Sequence, residues 1–145
     1  MKVAIVGGGI AGCAFALNLH ARGIACQVFE AVPDIKELGV GITILPHAMR
    51  EFAALGLQDA LIAAGIENKE SAFFNRFGQL LYKEPRGKFA GYPFPEIGIH
   101  RGRLHTILYH TVLERLGPGS VVTGRRCVGV DQDADGVTLR LQDAA

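Results

Sequence analysis

The chain has 145 residues, 49% of them hydrophobic and 20% charged, which is the size and composition of one ordinary soluble domain with a core of its own. A formal net charge of +1 gives neither the basic footprint of a nucleic-acid binder nor the charge that draws a protein to an anionic membrane. Three cysteines, Cys13, Cys26 and Cys127, without C-x-x-C spacing or paired histidines nearby, read as small buried hydrophobes in a reducing cytoplasm, not as a disulfide or metal framework.

Val3-Ala4-Ile5-Val6 is apolar without a break and runs straight into Gly7-Gly8-Gly9-Ile10-Ala11-Gly12. It reads as a central parallel strand buried on both faces, followed by a turn into a helix. Gly7, Gly9 and Gly12 fit G-x-G-x-x-G. Gly7 permits the tight turn, Gly9 lets a pyrophosphate approach the backbone, and Gly12 lets the helix pack closely on the strand. The helix start adds unpaired N–H groups and a positive dipole end, and no lysine or arginine lies between Lys2 and Arg22, so the anion site is made of backbone. Cys13, Ala14, Leu17 and Ala21 recur at helical spacing, and Arg22-Gly23 supplies a cationic last turn and a left-handed stop. Ala25 to Phe29 is a second strand, and Glu30 at its end stands 18 residues after Gly12, where a carboxylate can accept both hydroxyl protons of an adenosine ribose. Four glycines and Asn18 interrupt the uncharged run from Val3 to Leu19, which is therefore neither a signal peptide nor a membrane span.

Val32-Pro33-Asp34 breaks the chain, and Lys36 to Pro46 is a β-branched segment hinged by Gly39 and Gly41. Pro46 suits the first turn of a helix, where its missing N–H is not needed. His47 to Leu55 and Leu57 to Ala64 read as two short helices split by Gly56, with Met49, Phe52, Leu57, Leu61 and Ile62 facing the core. Ser71 to Arg76 and Gln79 to Glu84 form a hairpin across Phe77-Gly78, and residues 70–98 are expected to begin a substrate-side sheet inserted into the domain. Glu84 to Pro95 is a proline- and glycine-rich loop. After Ile97 to His100, the segment Arg101 to Leu116 carries Leu104, Leu108, Val112 and Leu116 on one stripe and ends at Gly117-Pro118-Gly119, an amphipathic helix. His100, His105 and His110 are spaced by five and share no helix face for a metal. Val121 to Thr123, Cys127 to Asp131 and Val137 to Leu141 close the chain as strands, the last two joined by a turn at Ala134-Asp135-Gly136. The fold class is α/β, with a Rossmann-like βαβ unit and a parallel sheet.

Four spaced motifs, taken in order, resemble the FAD-dependent aromatic hydroxylases, the single-component flavoprotein monooxygenases that include salicylate- and phenazine-type hydroxylases. They are Val6 to Gly12 with Glu30, Leu38-Gly39-Val40-Gly41-Ile42 running into Pro46-His47-Ala48, Ile99-His100-Arg101 with Leu104, and Asp135-Gly136-Val137-Thr138. Glu84-Pro85-Arg86-Gly87 and His100-Arg101-Gly102 are most similar to the phenazine branch. The resemblance implies that Gly7, Gly9, Ile10, Ala11 and Gly12 cradle the FAD pyrophosphate and that Glu30 and Ala31 hold the adenosine ribose. It implies that Lys36, Gly41 and Ile42 lie at the flavin end, that Arg101 reaches the flavin nucleotide, and that Cys127 and Val128 meet adenine. His47 stands where many relatives carry asparagine.

By the same resemblance, NAD(P)H is the reductant and the substrate is a small aromatic molecule; cysteine usage points to a cytoplasmic protein, and the net charge and residue spacing give no sign of a nucleic-acid, membrane or metal partner. The cofactor carries the hard step, so no residue is nominated as catalytic. Such proteins continue into a further strand and two later flavin motifs. The chain is therefore expected to be the amino-terminal part of an FAD-binding domain spanning residues 1–145, inactive and weak in FAD binding by itself, and completed by the remainder of its own chain or by self-association. Two other readings stay open. A nicotinamide-dependent dehydrogenase uses the same βαβ unit, although the hairpin argues against it. The other is an FAD-binding fragment without turnover.

Overall fold

The computed structural model describes residues 2–36 and 39–143; Glu37 and Leu38 of the β-branched segment lie outside the described residues. The elements are β1 (Lys2–Val6), α1 (Ile10–Ala21), β2 (Ala25–Phe29), β3 (Gly41–Ile44), α2 (Pro46–Ala54), α3 (Gln58–Ala64), β4 (Ile66–Glu67), β5 (Glu70–Phe74), β6 (Leu80–Pro85), β7 (Ile97–His100), α4 (Arg101–Leu116), β8 (Val121–Val122), β9 (Arg125–Gln132) and β10 (Val137–Asp143). They fall into two units, Met1–Glu37 with His105–Ala145, and Leu38–Leu104, so the division runs through α4. No helix among the described residues is long and apolar enough to cross a membrane.

In the first unit β1 pairs in parallel with β2, Val3 opposite Cys26 and Val6 opposite Phe29, and β2 pairs in parallel with β8. Parallel neighbours require a crossover, and α1 supplies it for β1 and β2. The helix buries Cys13, Ala16, Leu17 and Leu19. The expected stripe of Cys13, Ala14, Leu17 and Ala21 is thus only half right, because Ala14 is half-buried and Ala21 is exposed. A helix that is apolar nearly all round gives hydrophobic periodicity nothing to discriminate, and its packing on the strands chooses the face. The expectation for β1 is also corrected. It lies at the edge of a sheet ordered β1-β2-β8, with Ile5 buried but Val6 54% exposed. Ile5 meets α1, while no described strand pairs with the outer edge of β1. Leu108 and Val112 of α4 join Leu17, Val28 and Val121 in the buried set of this unit. β9 and β10 form an antiparallel ribbon, tied by Arg140 to both oxygens of Asp131 at 2.7 and 2.8 Å.

The second unit is built on an antiparallel sheet ordered β3-β7-β4, with Gly41 opposite His100 and Ile44 opposite Ile97. α2 begins with Pro46 in its first turn, and Gly56, at φ +71°, adopts the left-handed conformation that separates α2 from α3. Met49, Leu57 and Leu61 are buried with Ile44, Ile97 and Ile99, whereas Phe52 is only half-buried and Ile62 is exposed, contrary to the sequence expectation. β5 and β6 form the anticipated hairpin as a two-stranded sheet of its own, with Phe73 opposite Tyr82 and a register shift at Phe74. Its apolar side chains are largely uncovered, Leu81 being 68% and Phe77 72% exposed. The segment read as a loop from Glu84 holds the end of β6 and a 3₁₀ turn at Gly87–Ala90. The two-residue β4 was not legible.

Candidate functional site

The first unit gathers its candidate residues around the turn after β1. Gly7 has φ +100°, a conformation costly for any residue with a Cβ, and donates its N–H to the Phe29 carbonyl at 2.8 Å. A Cβ on Gly12 would fall on the Gly7 carbonyl oxygen, so the close approach of helix to turn requires glycine there. A Cβ on Gly9 would meet nothing within 4 Å; the space beyond it is open. Gly9 caps α1, so the N–H groups of Ile10, Ala11 and Gly12 belong to its first turn, where no acceptor of the helix itself is in reach.

Glu30 is fixed from several sides. Its Oε2 accepts the Gly8 N–H at 2.6 Å and its Oε1 accepts the Val32 N–H at 2.9 Å. Its backbone donates to the Val122 carbonyl at 2.9 Å and accepts from the Arg125 N–H at 2.8 Å. A carboxylate has about four lone-pair sites, so two remain for the hydroxyls of a ribose. Ala31 follows directly and is half-buried. Cys127 and Val128 lie on β9, two and three residues beyond the Arg125 amide that holds Glu30; Cys127 is half-buried and Val128 is exposed. Lys36 is exposed and its side chain has no partner among the described residues.

Two residues that sequence reasoning left aside complete this cluster. His105 Nε2 lies 2.6 Å from the Gly8 carbonyl oxygen, and the Cys13 thiol donates to the same oxygen at 3.2 Å. Burial, and after it the charge of Glu30, push the Cys13 thiol up to about 11, so it stays protonated and able to donate.

In the second unit Gly41, Ile42 and Arg101 are brought together. The Arg101 N–H donates to the Val40 carbonyl at 2.9 Å, and His100 Nε2 donates to the Gly39 carbonyl at 3.0 Å. The stem of Arg101 lies against Gly39, where a Cβ would stand 3.3 Å from that of Arg101. The Arg101 guanidinium is exposed and unpaired among the described residues. The same unit holds a cavity of about 470 Å³ between the start of α2 and the 3₁₀ turn, lined by Pro46, His47, Arg50, Tyr92 and Phe94 and by the Arg86–Glu96 pair. Glu96, 5% exposed, accepts Arg86 Nε at 3.1 Å and Asn68 Nδ2 at 3.1 Å. Arg86 also reaches Glu84 at 2.6 Å, and the Tyr82 hydroxyl donates to Glu84 at 2.7 Å. The Tyr82 bond, with Arg86 adding to it, holds the Glu84 carboxyl below the usual range. Nothing in the spacing of the sequence signals this network. No group of three or more potential metal ligands occurs among the described residues.

A parallel βαβ unit with a glycine turn open to solvent at a helix start, and a carboxylate fixed at the end of its second strand, defines a dinucleotide site of the Rossmann class. The chain belongs to the FAD binding domain family, whose model matches residues 1–145. It is 41% identical over 142 residues to the phenazine 1,6-dicarboxylic acid hydroxylase of Lysobacter antibioticus, which covers 97% of this chain and 35% of that protein. To the aurachin C monooxygenase/isomerase of Stigmatella aurantiaca it is 36% identical over 144 residues, 99% of this chain and 37% of the other. Among solved structures, Klebsiella pneumoniae HpxO complexed with FAD and uric acid matches with a TM-score of 0.82 at 27% identity, over 100% of this chain and 36% of that one. The chain thus spans about a third of the length of the relatives it matches. The resemblance to FAD-dependent aromatic hydroxylases, the α/β class and FAD as cofactor are borne out. The open cradle at Gly9 fits that cofactor's pyrophosphate.

Proposed function

We propose that this chain is the FAD-holding portion of a cytoplasmic, NAD(P)H-dependent monooxygenase that hydroxylates an aromatic or heteroaromatic small molecule. The observation that carries the reading is the glycine turn, with open space at Gly9, donors at the start of α1 and Glu30 fixed beside it. In this reading Gly7, Gly9 and Gly12, with the amides of Ile10 and Ala11, hold the pyrophosphate. Glu30 and Ala31 take the ribose, Cys127 and Val128 border adenine, and Lys36, Gly41, Ile42 and Arg101 serve the flavin end. A cation in the first turn of a helix is mildly unfavourable, and an anionic flavin nucleotide would offset that cost at Arg101. Residues 1–145 then act as part of the FAD-binding domain, and residues 70–98 begin a substrate-side layer.

When bound, FAD supplies the redox and oxygen chemistry, and the chain's own residues bind, orient and desolvate it. The aromatic substrate class is supported by the relatives, one of which is named for phenazine 1,6-dicarboxylic acid. Two measurements test the reading. The chain titrated with FAD, FMN and NAD⁺ should bind FAD in preference to the others, and equal binding of FMN would remove the adenosine contacts. NAD(P)H oxidation with added aromatic acids is then followed for the chain alone and for the chain fused to the remaining two thirds of the phenazine relative. Stimulated turnover by the fusion alone is expected; a fusion that holds FAD yet never couples NAD(P)H oxidation to ring hydroxylation would defeat the monooxygenase assignment.

A further inference from the structure

His105 lies 97 residues from the glycine turn in sequence, yet its Nε2 is 2.6 Å from the Gly8 carbonyl oxygen, in a part-buried contact. A carbonyl oxygen only accepts, so Nε2 carries a proton and donates. The Cys13 thiol donates to the same oxygen at 3.2 Å, and the Gly8 N–H is taken by Glu30 at 2.6 Å. Gly8 is buried with both of its backbone polar groups occupied.

The planar trans peptide carries this one bond further. The Gly8 carbonyl and the Gly9 N–H share one rigid plane and point in opposite directions, and the chain contains no cis peptide among its described residues. Holding the carbonyl toward His105 and Cys13 therefore turns the Gly9 N–H the other way. That amide has no partner among the described residues, and a Cβ on Gly9 would meet nothing within 4 Å on its open side. With glycine on both sides, the peptide has little intrinsic preference for this orientation, so it has to be imposed from outside.

We propose that His105 is a positioning residue for FAD, which through the Gly8–Gly9 peptide aims the Gly9 N–H at the pyrophosphate. The inference rests on the reading of the glycine turn as the pyrophosphate site. Cys13 assists with a weaker bond, and His105 supplies the shorter one.

The test compares His105→Ala, His105→Gln and Gly9→Val with the unaltered chain. FAD affinity is measured by titration, and the ³¹P resonances of bound FAD and the unfolding midpoint of the FAD-free chain are recorded. His105→Ala should weaken FAD binding at least about tenfold, the size of one hydrogen bond to a charged group, and move the ³¹P resonances. His105→Gln, whose amide can donate, should restore affinity to within about threefold and return the resonances. A merely structural histidine would lower the unfolding midpoint and leave the ³¹P positions of bound FAD unchanged, which would overturn the proposal. If Gly9→Val binds FAD normally, the pyrophosphate reading itself fails; if Gly9→Val loses FAD while His105→Ala keeps it, only the role of His105 fails. Should His105→Ala not fold, the unaltered chain still decides. Long-range ¹H–¹⁵N correlation of the His105 ring at saturating FAD should show Nε2 protonated, and a tautomer protonated at Nδ1 alone would overturn it.

Discussion

Glu30 accepts the protein's own amides at Gly8 and Val32 and keeps lone pairs that these two bonds do not use. Glu30→Ala is therefore expected to weaken FAD binding at least about tenfold, one hydrogen bond of the charged kind, as read by flavin absorbance or fluorescence titration. Glu30→Gln, which keeps one acceptor oxygen, should lose less. The glycines separate fold from ligand. Gly9→Ala adds a methyl to open space and should leave the unfolding midpoint unchanged while reducing FAD affinity; Gly12→Ala collides with the Gly7 carbonyl and should lower the midpoint first. Gly8, which looks like the spare glycine of the run, has no such freedom, because a Cβ there would stand 3.0 Å from that of Glu30. Cys13 gives a pH prediction. Its thiol in the folded chain lies at about 11 against an ordinary value of 9.0, so the folded state holds the proton more tightly. That stabilisation is whole below pH 9 and is lost as pH rises toward 11. Cys13→Ser, which does not titrate there, should flatten the fall of the unfolding midpoint over this range. Glu30 was legible because the βαβ spacing is local and sterically dictated. His105 was not, because its partner lies on the far side of an inserted segment and only the folded register reveals it.

At the scale of elements, legibility tracks contrast. Arg101 to Leu116 reads correctly end to end because its apolar stripe is narrow and Gly117 closes it at φ +94°. α1 has no polar face to set against its apolar one, and β4 is too short to carry a pattern. The hydrophobic positions of α3 are distinguished by depth: Leu61 is fully buried and Ile62 lies at the surface. Leu61→Ala should cost about 2 to 5 kcal/mol in denaturant unfolding, a large share of a domain's stability, whereas Ile62→Ala should cost well under half of that. Equal losses would mean that α3 is rotated from the orientation described.

On the scale of the whole molecule, two surfaces are ready to pair with other chain. Among the described residues no strand pairs with the outer edge of β1, and the β5–β6 hairpin exposes Phe73, Phe74, Phe77 and Leu81. An isolated two-stranded hairpin is marginal in water, so covering it is favourable. The 145-residue chain is expected to self-associate in sedimentation at micromolar concentration. Leu81→Lys should shift it toward the monomer while changing its unfolding free energy by no more than about 0.5 kcal/mol. A monomeric unaltered chain would show that these surfaces are tolerated bare.

The division of the chain also sets a timetable for its synthesis. The first unit is discontinuous, and β2 must wait for β8, which pairs Phe29 with Val122, before its second edge is covered. A ribosome adding about 5 to 20 residues per second needs roughly 5 to 20 s to cross that interval. Throughout it the nascent βαβ unit carries the apolar Val28 strand with only one neighbour, while the second unit, continuous in sequence, can close on its own residues. The cofactor cradle at Gly9 is thus made before the inserted segment, and the histidine that holds its peptide in place is added only after the whole of that segment has been synthesised.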